Sequence, residues 1–312
     1  MEILVVADSH LTGRNPIARL DDLVELQFEK WKEIVHHANY YDVPIIHAGD
    51  IFNVAVVANS LLTRLGEILN KLKQPLYFVW GNHDLQYHSP EMWDRTSLGV
   101  LWKNNNKVKH ISEFFMNYKA KINWAWWDWG SDDIQWLGNP PKLLLSHKAI
   151  VNDKLTGTNS WIQNDREFCH PIKEVHPKFK LVICGHWHRT YNYNYQGTRV
   201  INPGPMIRRT VDEWLKPSVI LLNIDTLIHK KIYLDTPDPE LILSRTHIEQ
   251  KIETRTDNIV KFVDALKIKK ESKKASFMKN LFHNLDQHEI PPRVEKVIRE
   301  TVMRLIEKGQ LK

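Results

Sequence analysis

The sequence predicts a layered α/β fold with a helical C-terminal appendage, and three observations predict it. Short β-rich runs at 3–7, 44–47 and 76–80 alternate with longer amphipathic stretches near 21–40 and 56–73, a strand–helix–strand start. Further β-rich runs follow at 143–146, 181–184, 200–201, 219–224 and 230–234. At 236–239 the chain reads Thr-Pro-Asp-Pro, where two prolines one residue apart break strand and helix alike, and the period beyond is helical.

Each element has its own signal. In the second amphipathic stretch Val57, Leu61, Leu65 and Leu69 recur at i, i+4, the stripe of a helix with one buried face. Residues 122–129 read as a strand carrying alternating tryptophans. Beyond the prolines, Ile248, Ile252, Ile259, Val263 and Leu266 form one helical stripe, and Phe277, Leu281, Phe282 and Leu285 a second. Val294, Val297, Ile298, Leu305 and Ile306 form a third, opened by Pro291 and Pro292, where a missing N–H is harmless. The charged run 267–274 links the first two. The expected division is therefore a catalytic domain at 1–235 and a helical appendage at 236–312, a partner- or DNA-binding region.

Composition excludes several classes. The chain has 312 residues, 42% hydrophobic and 26% charged, ordinary values for a soluble globular protein. Its two cysteines, Cys169 and Cys184, support neither a disulfide framework nor a thiolate zinc site, and fit a reducing, cytoplasmic setting. The first residues read as a core strand rather than a signal peptide, and no apolar run approaches the roughly 18 residues of a membrane span. The net charge of +6 lies wholly in 244–312, which holds 16 basic and 10 acidic residues, while 1–243 holds 27 of each. Such an excess suits a polyanion or an ordinary solvated helix surface equally.

Chemistry-bearing residues stand where predicted strands end: Asp8-Ser-His10, Gly49-Asp50, Gly81-Asn-His-Asp84, Ser146-His147 and Gly185-His-Trp-His188. Carboxyl edges of strands are where α/β sheets build their sites. The donors are carboxylate, imidazole and amide, a set that suits Mn²⁺, Fe or Zn²⁺ rather than a soft metal or calcium. Residues two apart in an extended segment point the same way, so Asp8 with His10, and His186 with His188, can converge.

This series, D-x-H, G-D, G-N-H-D, H and G-H-x-H, resembles the calcineurin-like metallophosphoesterase family over roughly residues 1–225. The fold the resemblance implies is a β-sandwich flanked by helices. It implies that Asp8, His10, Asp50 and His188 hold one divalent metal and Asp50, Asn82, His147 and His186 a second, with Asp50 bridging. It also implies His83 as a catalytic histidine that meets the substrate phosphate or protonates the departing oxygen, with Asp84 orienting it.

Within that family, Asp8-Ser-His-Leu-Thr-Gly13, Arg19-Leu-Asp21, Phe28 and Gly49-Asp-Ile-Phe52 resemble the SbcD-type DNA repair exonucleases, as does Asn202-Pro-Gly-Pro-Met-Ile-Arg-Arg209 with Asp212 and Glu213. The function implied is a Mn²⁺-dependent DNA nuclease, with Arg14, Arg208 and Arg209 as phosphate contacts. The partners expected are DNA, a coiled-coil ATPase of the SbcC type docked on the last helix and, for a homodimer, a second copy of the chain; no membrane partner is expected. The region after Leu234 is short for that family's capping domain. The alternatives are a stand-alone phosphodiesterase or phosphatase acting on nucleotides or other small phosphoesters, and a scaffold that lost catalysis, against which the complete motif set speaks.

Other residues carry plainer readings. Trp124, Trp126, Trp127, Trp129 and Trp136 can stack on bases, but alternating tryptophans in a strand are more often core. Trp187 shapes the site rim, His36 and His37 are solvated on the first helix, His47 is a core residue behind the metals, and Cys184 is inert.

Overall fold

The structure, a computed structural model, describes residues 1–114, 124–137, 141–152, 169–211, 213 and 215–249, together with Lys296, Arg299, Glu300, Met303 and Arg304. It divides into two compact units, Met1–His247 and Ile248–Lys312.

In the first unit β1 (Glu2–Val6), β2 (Ile45–His47), β3 (Leu76–Phe78) and β4 (Val108–His110) lie parallel. Two antiparallel strands, β13 (Ser218–Asn223) and β14 (His229–Tyr233), extend that sheet beyond β1. The second sheet is built on parallel strands β5 (Trp124–Trp127), β7 (Leu143–Ser146), β10 (Leu181–Cys184) and β12 (Thr198–Asn202). Antiparallel β6 (Gln135–Trp136) and β11 (Tyr191–Tyr195) close its two edges. A small third sheet pairs β8 (Ala149–Val151) with β9 (Cys169–Pro171).

Strand alternation assigns the layers. Ile3 and Val5 of β1, with Ile46, Tyr77, Ile220 and Leu222, meet Leu143, Leu145, Leu181, Ile183 and Ile201 between the two large sheets. The opposite face of the first sheet, through Leu4, Val6, Val219 and Leu221, packs on helices α1 (Leu23–Tyr41), α2 (Asn59–Leu69) and α3 (Ser97–Asn104). Phe28, Trp31, Ile34, Leu61, Leu65 and Leu98 are the contacting side chains, each contributing about 1.5–3 kcal/mol by leaving water. Leu144, Val182 and Val200 on the outer face of the second sheet are covered by Ile150, Val151 and the short helix α4 (Ile172–Val175). Asp22 caps α1 by accepting the Glu25 N–H at 3.1 Å. The expected layered α/β sandwich flanked by helices is the observed one.

Strands β4, β6, β8 and β9 were not predicted, because two or three residues are too few for alternation to register. Strand β11, Tyr-Asn-Tyr-Asn-Tyr, was missed despite its period of two, since its outward positions are polar at a sheet edge. Trp124 and Trp127 are core residues at 4% and 8% exposure, whereas Trp136 is 51% exposed.

The first unit runs to His247, past the boundary expected at 235. Pro239 opens a helical turn, α5 (Pro239–Ile242), rather than ending the unit. The turn is tied back by the Leu20 N–H, which donates to the Ile242 carbonyl at 3.0 Å, and by the Ser244 N–H, which donates to Ala18 at 3.0 Å. In the second unit Lys296, Arg299, Glu300, Met303 and Arg304 are helical. The stripe residues from Ile252 onward, like Asp212, lie outside the described residues. Among the described residues no helix is long and apolar enough to cross a membrane.

Candidate active site

Parallel strands release their chains at one edge, and there the loops after β1, β2, β3, β7 and β10 bring their polar residues together. The loops of the first sheet are interlocked through their backbones. Asp8 N–H donates to the Gly49 carbonyl at 3.2 Å, His10 N–H to Asp50 at 2.9 Å and Leu11 N–H to Ile51 at 2.9 Å. These bonds hold Asp8, His10 and Asp50 at positive φ of 49°, 44° and 56°, a conformation that costs L-residues about 1–2 kcal/mol each. Gly81 is required by proximity, because a Cβ there would stand 2.1 Å from Asp50 Oδ1. Gly49 is required twice, by its φ of 88° and by the His147 ring, 2.4 Å from any Cβ.

Two groups of ligating atoms, Asp8 with His10 and His188, and Asp50 with His147 and His186, are joined by a third, His10 and Asp50 with His83, and each group lies within 4.8 Å. Asn82 Oδ1 joins the second, 3.0 Å from His147 Nε2 and 3.1 Å from His186 Nδ1. Asp50 Oδ2 faces both groups, 3.2 Å from His147 Nε2 and 3.4 Å from His10 Nε2. His10 Nε2 and His188 Nε2 lie 2.9 Å apart. Donor atoms about 3 Å apart, with Asp50 between the two groups, are close enough to be shared by divalent ions, so the residues present fit a metal centre. Asp8 Oδ2, buried and without a hydrogen-bond partner among the described residues, is a further donor available to an ion. The seven residues expected as ligands are thus all brought together.

The charges are strongly linked. Burial pushes Asp50 toward neutrality, yet His147 and His10 beside it hold its carboxyl well below the usual range. His147 would be lowered by burial, but Asp50 raises it to about 9. Burial and the neighbouring His147 lower His186 to about 3. Two of the imidazoles are also oriented from behind: His147 Nδ1 donates to the Ala48 carbonyl at 2.7 Å, and His188 Nδ1 to Glu213 Oε1 at 2.8 Å.

His83 lies beside the first group, its ring 4.8 Å from that of His10. Its N–H donates to Asp50 Oδ1 at 2.8 Å and its Nδ1 to the Asn53 carbonyl at 2.8 Å. The orienting partner is therefore a carbonyl, which corrects the expected role of Asp84. The Asp84 carboxylate instead accepts backbone N–H groups of Phe52 at 3.0 Å, Gly81 at 3.1 Å and Ile51 at 3.3 Å, bracing the loops that carry Asp50 and Asn82. Burial and the nearby Asp50 push its carboxyl up to about 7.

The arginines separate. Arg208 is 4% exposed and spends its guanidinium on the carbonyls of Leu215 and Pro237 and on Thr236 Oγ1, so the expected phosphate contact is corrected to a structural one. Arg209 is half-buried, with a charge that acts on His10, His188 and Asp50. Arg14 is exposed on the loop after Leu11. Arg19 pairs with Asp21 at 2.6 Å and donates to the Arg208 carbonyl at 2.8 Å, joining two segments singled out in the sequence.

Two contributors carry no role in the sequence reading. Glu213 stands out there only as part of the segment that resembles the SbcD-type exonucleases; its contact with His188, 25 residues away in the chain, is made by the fold. Asp128 accepts the Trp80 N–H at 2.8 Å and meets His110 Nε2 at 3.1 Å, fixing the strand end before Gly81. His47 is fully buried, 2.7 Å from Ser9 Oγ and stacked on Trp31, the core residue expected behind the site. Cys184 is buried and burial pushes its thiol up to about 12, which agrees with an inert side chain.

Comparison with known proteins places this geometry in a family. Residues 1–227 match the calcineurin-like phosphoesterase superfamily domain. The 3',5'-cyclic adenosine monophosphate phosphodiesterase CpdA of Haemophilus influenzae is 24% identical over 251 residues, covering 73% of this chain and 82% of that protein. Among solved structures, an archaeal phosphodiesterase is 16% identical, covering 75% of this chain and 100% of its own, with a TM-score of 0.37. A 5'-nucleotidase from Staphylococcus aureus, described as putative, is 14% identical with a TM-score of 0.39, covering 76% of this chain and 55% of its own. The family match spans strands β1 to β13, the loops and every donor residue of the edge, and on it the chain belongs to the calcineurin-like phosphoesterase superfamily of binuclear, metal-dependent phosphoester hydrolases.

Proposed function

We propose that this hydrolase is a Mn²⁺-dependent DNA nuclease cleaving phosphodiester bonds. The observation that carries the reading is the convergence on one edge of a complete two-metal donor set, His83 and Arg209. Asp8, His10, Asp50 and His188 would hold one ion, and Asp50, Asn82, His147 and His186 the other. Divalent ions held there would supply Lewis acidity toward water and toward the charge of the phosphoryl group.

The chain's residues do the rest. Asn53 accepts the Nδ1 proton of His83, which directs Nε2 to the substrate and supports the charged imidazolium when Nε2 carries a proton. That proton can pass to the departing oxygen, or bond a phosphoryl oxygen. Arg209 and Arg14 would contact phosphates along the polynucleotide. DNA as substrate is supported by the SbcD-like segments, of which Asn202–Arg209 lies beside His188 and Leu11–Asp21 follows directly from His10. The basic second unit would dock a coiled-coil ATPase of the SbcC type.

A second reading has its own support: the CpdA relative makes a cyclic nucleotide the alternative substrate. The full chain with Mn²⁺ should be offered linear DNA, single-stranded oligonucleotides, 3',5'-cyclic AMP and bis-p-nitrophenyl phosphate. The nuclease reading expects DNA cleavage whose binding weakens as salt rises, since phosphate contacts release counterions. Hydrolysis of cyclic AMP without DNA cleavage would replace it with the second reading.

A further inference from the structure

We infer that Glu213 is a positioning residue that holds His188 in the Nδ1–H tautomer and ties the Arg209 backbone to the metal centre. Oε1 of Glu213 receives the His188 Nδ1 proton at 2.8 Å. Oε2 receives the backbone N–H of Arg209 and, at 3.1 Å, that of Thr210. The Glu213 side chain is only 8% exposed, so water competes poorly for these bonds.

The consequence for His188 follows from imidazole chemistry. A neutral ring with its proton on Nδ1 carries its lone pair on Nε2, the atom that faces His10 Nε2 at 2.9 Å. Turning the ring over would break the bond to Glu213. A carboxylate behind a ligating histidine fixes its tautomer and raises its basicity, and losing such a partner costs about 10–100-fold in metal affinity.

The second half of the carboxylate extends the effect. Arg209 Nε is buried and meets no hydrogen-bond partner among the described residues. The Arg209 backbone, from which the guanidinium reaches toward the centre, hangs on Glu213. One carboxylate therefore sets both a ligand and the cation proposed to meet the substrate phosphate. The inference rests on the reading of His188 as a ligand, not on the choice of DNA as substrate.

The test titrates Mn²⁺ calorimetrically into the full-length wild type, Glu213→Ala, Glu213→Gln and His188→Ala, and follows amide exchange at Arg209 and Thr210. In Glu213→Ala one Mn²⁺ equivalent should weaken by about 10–100-fold while the other keeps its affinity, and both amides should exchange faster. Glutamine offers a single carbonyl acceptor, which can serve His188 or the two amides but not all three. In Glu213→Gln either the affinity or the amide protection must therefore fall, and this variant decides the matter if the alanine chain does not fold. Wild-type affinity together with wild-type exchange in the variants overturns the inference. If His188→Ala keeps both equivalents, the ligand reading itself fails; if it loses one while the Glu213 variants lose nothing, only the inference fails.

Discussion

The first sheet delivers Asp8, His10, Asp50, Asn82 and His83 to the site, whereas the candidate ligands from the second are imidazoles alone, those of His147, His186 and His188. The two halves are also held differently. Asp8, His10 and Asp50 sit in left-handed backbone and are locked by bonds between neighbouring loops of parallel strands. His147 and His188 take their direction from single acceptors, the Ala48 carbonyl and the Glu213 carboxylate. The first half is preorganised chiefly by its own main-chain conformation, the second chiefly by the acceptors its rings meet, one a backbone carbonyl and one a carboxylate, although His186 shares the positive φ, at 70°. Damage to the first should therefore reach the whole centre, and damage to the second should stay local.

Asp50→Asn is the sharpest way to break this contrast. It removes the shared charge, so both Mn²⁺ equivalents should weaken, and turnover should fall further than the roughly 10–100-fold expected from losing an outlying partner. Metal analysis of the purified variant checks it; retention of one equivalent at wild-type affinity would mean that the halves are independent. His83→Gln should act next most strongly, lowering turnover about 10²–10⁴-fold while leaving both equivalents bound. Parallel loss of metal and activity would move His83 from the substrate to the ligand shell.

Gly81→Ala tests the main-chain locking without touching a donor. Its new methyl would fall 2.1 Å from Asp50 Oδ1 and 2.3 Å from the Asp50 nitrogen, so the loop must shift. We expect a loss of about 1–3 kcal/mol in the urea unfolding of the metal-free chain. Wild-type stability would show that this half is softer than its bonds suggest.

The smallest effect concerns the core behind the first sheet. Burial lowers His47 from 6.5 to about 3, so it stays neutral in the fold while the unfolded chain takes up a proton below 6.5. Its share of stability is whole above 6.5 and is lost as pH falls toward about 3. His47→Gln should make the fall in stability between about pH 6.5 and 5.5 shallower by about 1 kcal/mol, read from urea midpoints at each pH. An unchanged slope would assign the acid sensitivity to the other buried histidines.

Much of the site was legible because its donors follow strong apolar runs. Leu4–Val6 announces Asp8, Ile45–Ile46 announces Asp50, and Leu181–Cys184 announces His186 and His188. Orientation was less legible. Asp84 adjoins His83 in the chain, yet its carboxylate turns to the amides of Ile51, Phe52 and Gly81, because that tight turn leaves donors unpaired on its inner side. Arg208 and Arg209 read alike as neighbours, but one is packed against the carbonyls of Leu215 and Pro237 and the other faces the metal residues.

By itself the sequence determined the strand-forming runs, the helix stripe through Leu61, Leu65 and Leu69, and the identity of every donor, since these depend on local pattern and intrinsic chemistry. Tertiary structure alone decided that Glu213 stands behind His188, that Asn53 rather than Asp84 takes the His83 proton, and that residues 236–247 close back onto Ala18–Leu20. Those outcomes depend on pairing over long chain separations. A buried polar group there must accept whichever partner the packing of the sheets brings within reach.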